Sequence, residues 1–157
     1  MINSVIHMEY KLTTYNEQDT IELAENIESE KFNNMVICLK GDLGSGKTVF
    51  TKGFANALGI NEVITSPTFN IVKEYYSGEA PLFHMDVYRL DETDLEINFQ
   101  EYFNKKGISI IEWSDLIEDE LPKARLEITF KILSEDSRLL IVKPYGKKYE
   151  DLLRAVL

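Results

Sequence analysis

Gly41-Asp42-Leu43-Gly44-Ser45-Gly46-Lys47-Thr48 places three glycines, a lysine and a hydroxyl within eight residues. That spacing satisfies G-x-x-x-x-G-K-[ST], the P-loop pattern, at every constrained position. Without a Cβ in the way, successive backbone N–H groups can turn inward around an anionic phosphate. Lys47 is then placed to reach β- and γ-phosphates, and the Thr48 hydroxyl to ligate Mg²⁺. A helix opening at the end of the loop would add the positive end of its dipole. The run predicts a site for a nucleoside triphosphate.

Such a site needs an acid from a second core strand, to hold the metal shell or orient water. Ser109-Ile110-Ile111-Glu112 supplies an apolar run ending in a carboxylate, followed by Trp113. A solvated strand-end carboxylate would look the same, and the P-loop in the same chain is what favours the functional reading. In His84-Met85-Asp86-Val87-Tyr88-Arg89, residues two apart share a strand face. His84, Asp86 and Tyr88 then point one way, while Phe83, Met85 and Val87 point to the core. Asp86 could align an attacking water or reach Mg²⁺ through water, with His84 holding Asp86. An exposed hairpin strand with a polar outer face would give the same alternation. Ser66-Pro67-Thr68-Phe69 follows the P-loop by some 20 residues. Thr68 stands where a switch threonine would sense γ-phosphate and Mg²⁺, although a plain strand-entry turn is equally compatible.

The elements that must position these groups can be read from periodicity. Met35 to Leu39 is wholly apolar and predicts a buried strand ahead of the P-loop. Thr48 to Leu58 has helical spacing and ends at Gly59. Upstream, Glu9 to Thr13 reads as a strand, and Thr14-Tyr15-Asn16-Glu17 as a capping box opening a helix to about Ser29. Downstream, Phe69 to Tyr75 and Leu82 to Val87 form a hairpin across Ser77-Gly78-Glu79-Ala80-Pro81. Asp94 to Phe103 reads as a short helix, Ile108 to Glu112 as a buried strand, and Asp115 to Leu121 as a helix stopped by Pro122. Arg125 to Leu133 and Leu139 to Lys143 predict a closing antiparallel pair, and Lys147 to Leu157 a final helix. The sum is an α/β fold, a P-loop NTPase-like domain over residues 1–157, whose central sheet mixes parallel and antiparallel strands between flanking helices.

Composition narrows the function. The chain has 157 residues, 44% hydrophobic and 28% charged, in the ordinary range for a soluble domain with its own core. It holds 27 acidic against 17 basic residues, a net charge of −10. Tight nucleic-acid binding rests on Lys and Arg neutralising phosphates, so any nucleic acid, RNA or DNA, in the biology is expected on a partner. No apolar stretch approaches a membrane span, and MINSVIHMEYKL lacks a basic-then-apolar signal pattern. The lone Cys38 sits in the buried strand as a small hydrophobe, and a reducing cytoplasm fits. A GTPase would need a guanine-reading N-K-x-D, and Asn104-Lys105-Lys106-Gly107 lacks the Asp. Four arginines and no long insertion argue against the lid of a small-molecule kinase.

Taken in order, GDLGSGKT, SPTF, HMDVYRL, EYF and IIEW resemble the TsaE (also called YjeE) family, bacterial P-loop ATPases needed to make threonylcarbamoyladenosine in tRNA. The resemblance spans about residues 9 to 145. It implies a compact α/β fold and ATP hydrolysis with Mg²⁺, inside a complex with TsaD and TsaB. There the partners transfer the threonylcarbamoyl group to tRNA, and hydrolysis supports repeated turnover. Carried over by motif, Gly41, Asp42, Leu43, Gly44, Ser45, Gly46 and Lys47 bind the phosphates, and Thr48 and Glu112 hold Mg²⁺. Lys47 and Glu112 belong with Asp86 and Trp113 to the catalytic and coupling region. Thr68 is the switch-like threonine. Gln18, in the E-Q-x-T stretch, resembles a nucleotide-contacting segment. Ser45 replaces the usual Ala, and Val49 the second Thr. Asn70 stands where Thr is common, Asn98 where Gly precedes EYF, and Asp115 where Glu follows the Trp. A different class of function uses the same parts: a nucleotide-dependent interaction switch with little hydrolysis of its own.

Overall fold

The structure, a computed structural model, describes residues 8–67 and 70–157. The strands are β1 (Tyr10–Thr14), β2 (Val36–Gly41), β3 (Val72–Tyr75), β4 (Leu82–Asp86), β5 (Ile108–Glu112), β6 (Arg125–Ile132) and β7 (Arg138–Tyr145). The helices are α1 (Glu17–Ser29), α2 (Lys47–Ala57), α3 (Phe99–Asn104) and α4 (Lys147–Val156). Two 3₁₀ segments, Leu90–Glu92 and Ser114–Glu120, complete the elements.

All seven strands form one sheet in the order β1-β7-β6-β2-β5-β4-β3. β2 runs parallel to β5 and β6, and β5 parallel to β4. β3 pairs antiparallel with β4, β7 with β6, and β1 with β7. Five strands (β1, β6, β2, β5 and β4) therefore end at the same edge. In an open α/β sheet that carboxyl edge is where ligands bind.

The central strands read as continuous apolar runs because helices cover both faces. Val36 to Leu39 is buried throughout, as is the whole of β5. On one face α1, α2 and α4 seal a core around Ile27, Phe50, Phe54, Leu58 and Leu153. Each fully buried phenylalanine there contributes about 2–3 kcal/mol of transfer free energy. On the other face α3 and the Ser114–Glu120 segment cover Met85, Phe83, Cys38 and Ile111 with Phe99, Phe103 and Ile117. The mixed sheet with flanking helices is the expected α/β fold, including both hairpins.

Local differences have local causes. α1 starts two residues later than Thr14 would place it. Thr14 ends β1, and Asn16 is the cap, its Oδ1 accepting from the Asp19 N–H at 2.9 Å. Asp19 answers by accepting from the Tyr15 N–H at 2.9 Å. β3 begins at Val72, after Ile71 takes φ 64° and leaves the strand path; Phe69, its predicted start, lies outside the described residues. The predicted helix over 94–103 shrinks to Phe99–Asn104. Asn98 caps it by accepting from the Glu101 N–H at 3.3 Å, with φ −87°, so no left-handed turn is needed there. The helix predicted at 115–121 is a 3₁₀ segment broken at Ile117, whose φ is −127°.

Candidate functional site

β2 delivers the chain to the carboxyl edge, and Gly41-to-Gly46 turns it into α2. Gly41 has φ 148°, and a Cβ there would lie 2.6 Å from Ser45 Oγ and 2.8 Å from the Phe130 carbonyl oxygen. Only glycine fits both constraints. Gly46 caps α2 at φ 117° without any side-chain hydrogen bond to the helix N-terminus. The first-turn N–H groups are thereby left for an anion.

Around this loop lies a cavity of about 330 Å³, lined among others by Gly44, Gly46, Lys47, Thr48, Asp86, Glu112 and Trp113. Residues predicted from three separate parts of the chain thus share one cavity. The register explains why: Asp86 and Glu112 are direct partners at the ends of parallel β4 and β5, and Leu39 pairs with Glu112.

Glu112 is buried, and both its oxygens are engaged. Thr48 Oγ donates to Glu112 Oε1 at 3.2 Å, and His84 Nε2 lies 2.5 Å from Glu112 Oε2. The ring therefore donates its Nε2–H to the carboxylate, and His84 Nδ1 has no partner among the described residues. Here the structure corrects the sequence reading once: His84 holds Glu112, not Asp86. Of the two readings of β4, the exposed strand with a polar outer face is excluded, since Leu82 to Met85 is buried throughout and Asp86 lines the cavity. Residues two apart share a strand face, and Leu82 lies in the core that α1 and α2 seal, so the face carrying the buried His84 meets protein rather than solvent.

Asp86 is half-buried at the end of β4, and its Oδ1 accepts from the Tyr88 N–H at 3.1 Å. Burial raises its pKa above the ordinary carboxylate value, and the Glu112 charge adds to the rise. Lys47 is buried, donating to the Gly41 carbonyl at 2.5 Å and the Asp42 carbonyl at 3.0 Å. Burial lowers its pKa, while Glu112, Asp86 and Asp42 oppose the change. Lys47 Nζ also lies 4.2 Å from the Trp113 ring centroid, in cation–π range. Trp113 takes a left-handed conformation, φ 62° and ψ 35°, uncommon for so bulky a residue. Its ring packs against Tyr88, centroids 4.6 Å apart.

These groups define what could bind. Among the described residues no cluster of three His, Cys, Asp or Glu side chains could hold a metal by itself. Thr48 and Glu112 offer two hard oxygens, a set that suits Mg²⁺ completed by phosphate oxygens and water. Gly41 and Asp42 serve as carbonyl acceptors for Lys47 outside the cavity lining, and Leu43 stands exposed at the loop tip. Gln18 is not among the lining residues; its α1 neighbours Asn16, Glu17 and Thr20 are. Thr68 lies outside the described residues, although Ser66 of the same loop lines the cavity.

The sequence reading missed the wall formed by Glu135, Asp136 and Arg138. They sit in and just after the β6–β7 turn, in no motif. Only the expected hairpin, with its turn at the carboxyl edge, could have indicated them.

No helix of the described residues is long and apolar enough to cross a membrane. Residues 14–140 match the family described as threonylcarbamoyl adenosine biosynthesis protein TsaE. The tRNA threonylcarbamoyladenosine biosynthesis protein TsaE of Bacillus subtilis (strain 168) is 43% identical over 142 residues, covering 90% of each chain. Its namesake from Nostoc sp. (strain PCC 7120) is 32% identical over 148 residues, covering 91% of each. The crystal structure of Bacillus subtilis YdiB superposes with a TM-score of 0.83 at 38% identity, covering 98% of this chain and 97% of that one. A match over most of the chain, supported by relatives 32% and 43% identical over nine-tenths of it, settles the assignment: this chain belongs to the TsaE family of tRNA threonylcarbamoyladenosine biosynthesis proteins.

Proposed function

We propose that the chain is a Mg²⁺-dependent ATPase whose hydrolysis supports turnover of TsaD and TsaB, the partners that hold the tRNA, in the cytoplasm. Residues 1–157 act as one unit around the P-loop cavity. The observation carrying this reading is the Thr48–Glu112 contact at the mouth of the loop, beside Lys47. It joins the two protein oxygens a phosphate-bound Mg²⁺ requires.

Phosphoryl transfer depends on positioning and on charge stabilisation more than on covalent chemistry. Lys47 exchanges its bonds to the Gly41 and Asp42 carbonyls for the phosphates, in a buried setting where its charge acts strongly. Bound Mg²⁺, held by Thr48 and Glu112, supplies neutralisation of the charge developing on phosphate oxygens. Asp86 accepts a hydrogen bond from the attacking water or from the outer metal shell. Its raised pKa makes it a better proton acceptor than an ordinary aspartate. Gly44, Ser45 and Gly46 present backbone to the phosphates, Thr68 answers to the γ-phosphate, and Gln18 belongs to the segment flanking the nucleotide.

Lys47→Ala tests the site. The expected result is lost ATP affinity and lost phosphate release in the assembled complex, by calorimetry and a phosphate assay. Full affinity with full activity would overturn the reading. If Asp86→Ala hydrolyses normally in the complex, the role given to Asp86 is wrong.

A second reading has its own support. Lys47, Trp113 and the exposed Tyr88 form a continuous contact chain from the P-loop to the surface. This is the geometry a nucleotide-dependent interaction switch would use, with little hydrolysis. ATP-dependent partner binding without phosphate release would select it.

A further inference from the structure

Arg138 opens β7, outside every motif discussed above. Its guanidinium donates to five backbone carbonyls in two separate segments. Nε reaches Ser45 O at 3.1 Å and Nη2 reaches Gly44 O at 3.2 Å. Nη1 reaches Ser134 O at 2.8 Å, Glu135 O at 3.1 Å and Ser137 O at 2.9 Å. One side chain thus ties the P-loop backbone to the turn that walls the cavity.

The peptide unit converts this tie into a property of the phosphate cradle. In a trans peptide the C=O and the following N–H point in opposite directions. Holding Ser45 C=O towards Arg138 therefore turns the Gly46 N–H the other way, and Gly46 is the residue that opens α2. Holding Gly44 C=O fixes the preceding peptide, whose own Ser45 N–H donates to Asp42 O at 3.1 Å and closes the loop on itself. The glycines that let the loop adopt this path also leave it free to take others. Gly44 has φ 76° with nothing near its Cβ position, so its own side of the loop supplies no restraint.

We propose that Arg138 is a positioning residue that braces the P-loop from the β6–β7 turn, setting the orientation of its peptide groups before a phosphate arrives. The inference rests on the P-loop being the phosphate site. A fork of five N–H donors is suited to this task, and a lysine ammonium is not.

The test compares wild type, Arg138→Ala and Arg138→Lys by calorimetry with two probes, Mg-ATP and inorganic tripolyphosphate. The expected result is a loss of about tenfold or more in Arg138→Ala, consistent with hydrogen bonds to a charged group. The loss is equal for both probes, and Arg138→Lys fails to restore it. Amide exchange of Ser45 in the ligand-free protein gives an independent readout. Its N–H loses protection in both variants while the amides of β2 and β5 keep theirs. Loss with ATP alone would mean that Arg138 contacts the nucleoside instead. Full recovery in Arg138→Lys would mean simple charge attraction. Either outcome, or unchanged Ser45 exchange, overturns the brace. If wild type binds neither probe, the phosphate-site reading fails separately, and the Ser45 exchange still judges the brace.

Discussion

Glu112 is held from both sides, by a hydroxyl on α2 and an imidazole on β4, and the imidazole makes no other hydrogen bond among the described residues. A second partner of this kind orients a metal-binding carboxylate, and its loss typically costs at least about tenfold in metal affinity. His84→Ala is expected to raise the Mg²⁺ concentration for half-maximal phosphate release by about tenfold. His84→Gln, which can still donate to Glu112, restores part of that. A Mg²⁺ titration of each variant decides it, and an unchanged midpoint contradicts the orienting role. Asp86 makes a different prediction. Its folded pKa is raised above the ordinary 3.8 because burial disfavours the charged form. The folded state therefore binds the proton more tightly than the unfolded chain does. Stability falls as pH rises from the unfolded value through the raised folded value, and the cost is fully present at neutral pH. Asp86→Asn should raise the melting temperature at pH 7 and lose that advantage below the unfolded value, while phosphate release falls. A variant no more stable than wild type at pH 7 argues against burial as the cause of the shift.

At the scale of elements, the P-loop is only as good as the strand and helix that clamp it. Gly41→Ala would drive a Cβ against the Phe130 carbonyl of β6, a backbone atom fixed within the sheet, at a positive φ as well. We expect a loss of about 2 kcal/mol or more in urea unfolding. Nucleotide binding should fall further than Gly44→Ala makes it fall. Equal stability of Gly41→Ala and wild type would show that the loop can relax. This element was legible from the sequence because its chemistry is local: glycine spacing, an apolar strand before it and helical periodicity after it. Glu112 was legible because it ends a readable apolar strand, and Asp86 because it stands on the polar side of an alternating one. The partner of His84 was not legible. Alternation assigns a face to a side chain, but which residue of another strand lies beside it on that face depends on the strand order, here β4 next to parallel β5. Arg138 was invisible because its role is to bind backbone carbonyls some 93 residues away in the chain. Short helices also defeated the periodicity. Asn98 and Trp113 fix where they begin, by a cap and by a left-handed turn.

Across the whole molecule, the sheet order gathers the ends of five strands at one edge, where Lys47, Thr48, Asp86, Glu112, Trp113 and Arg138 line one cavity. A net charge of −10 gives the chain little intrinsic affinity for a polyanion. That suits the proposal that, in tRNA threonylcarbamoyladenosine biosynthesis, partners hold the RNA while this chain supplies nucleotide chemistry. If the P-loop, Thr48 and Glu112 hydrolyse ATP in the service of those partners, phosphate release from Mg-ATP should depend on them. Measured with the chain alone and then with TsaD, TsaB and substrate tRNA, release is expected to rise strongly only in the assembled mixture and to be lost in Glu112→Gln. Equal release with and without partners, or none in either, would contradict that role.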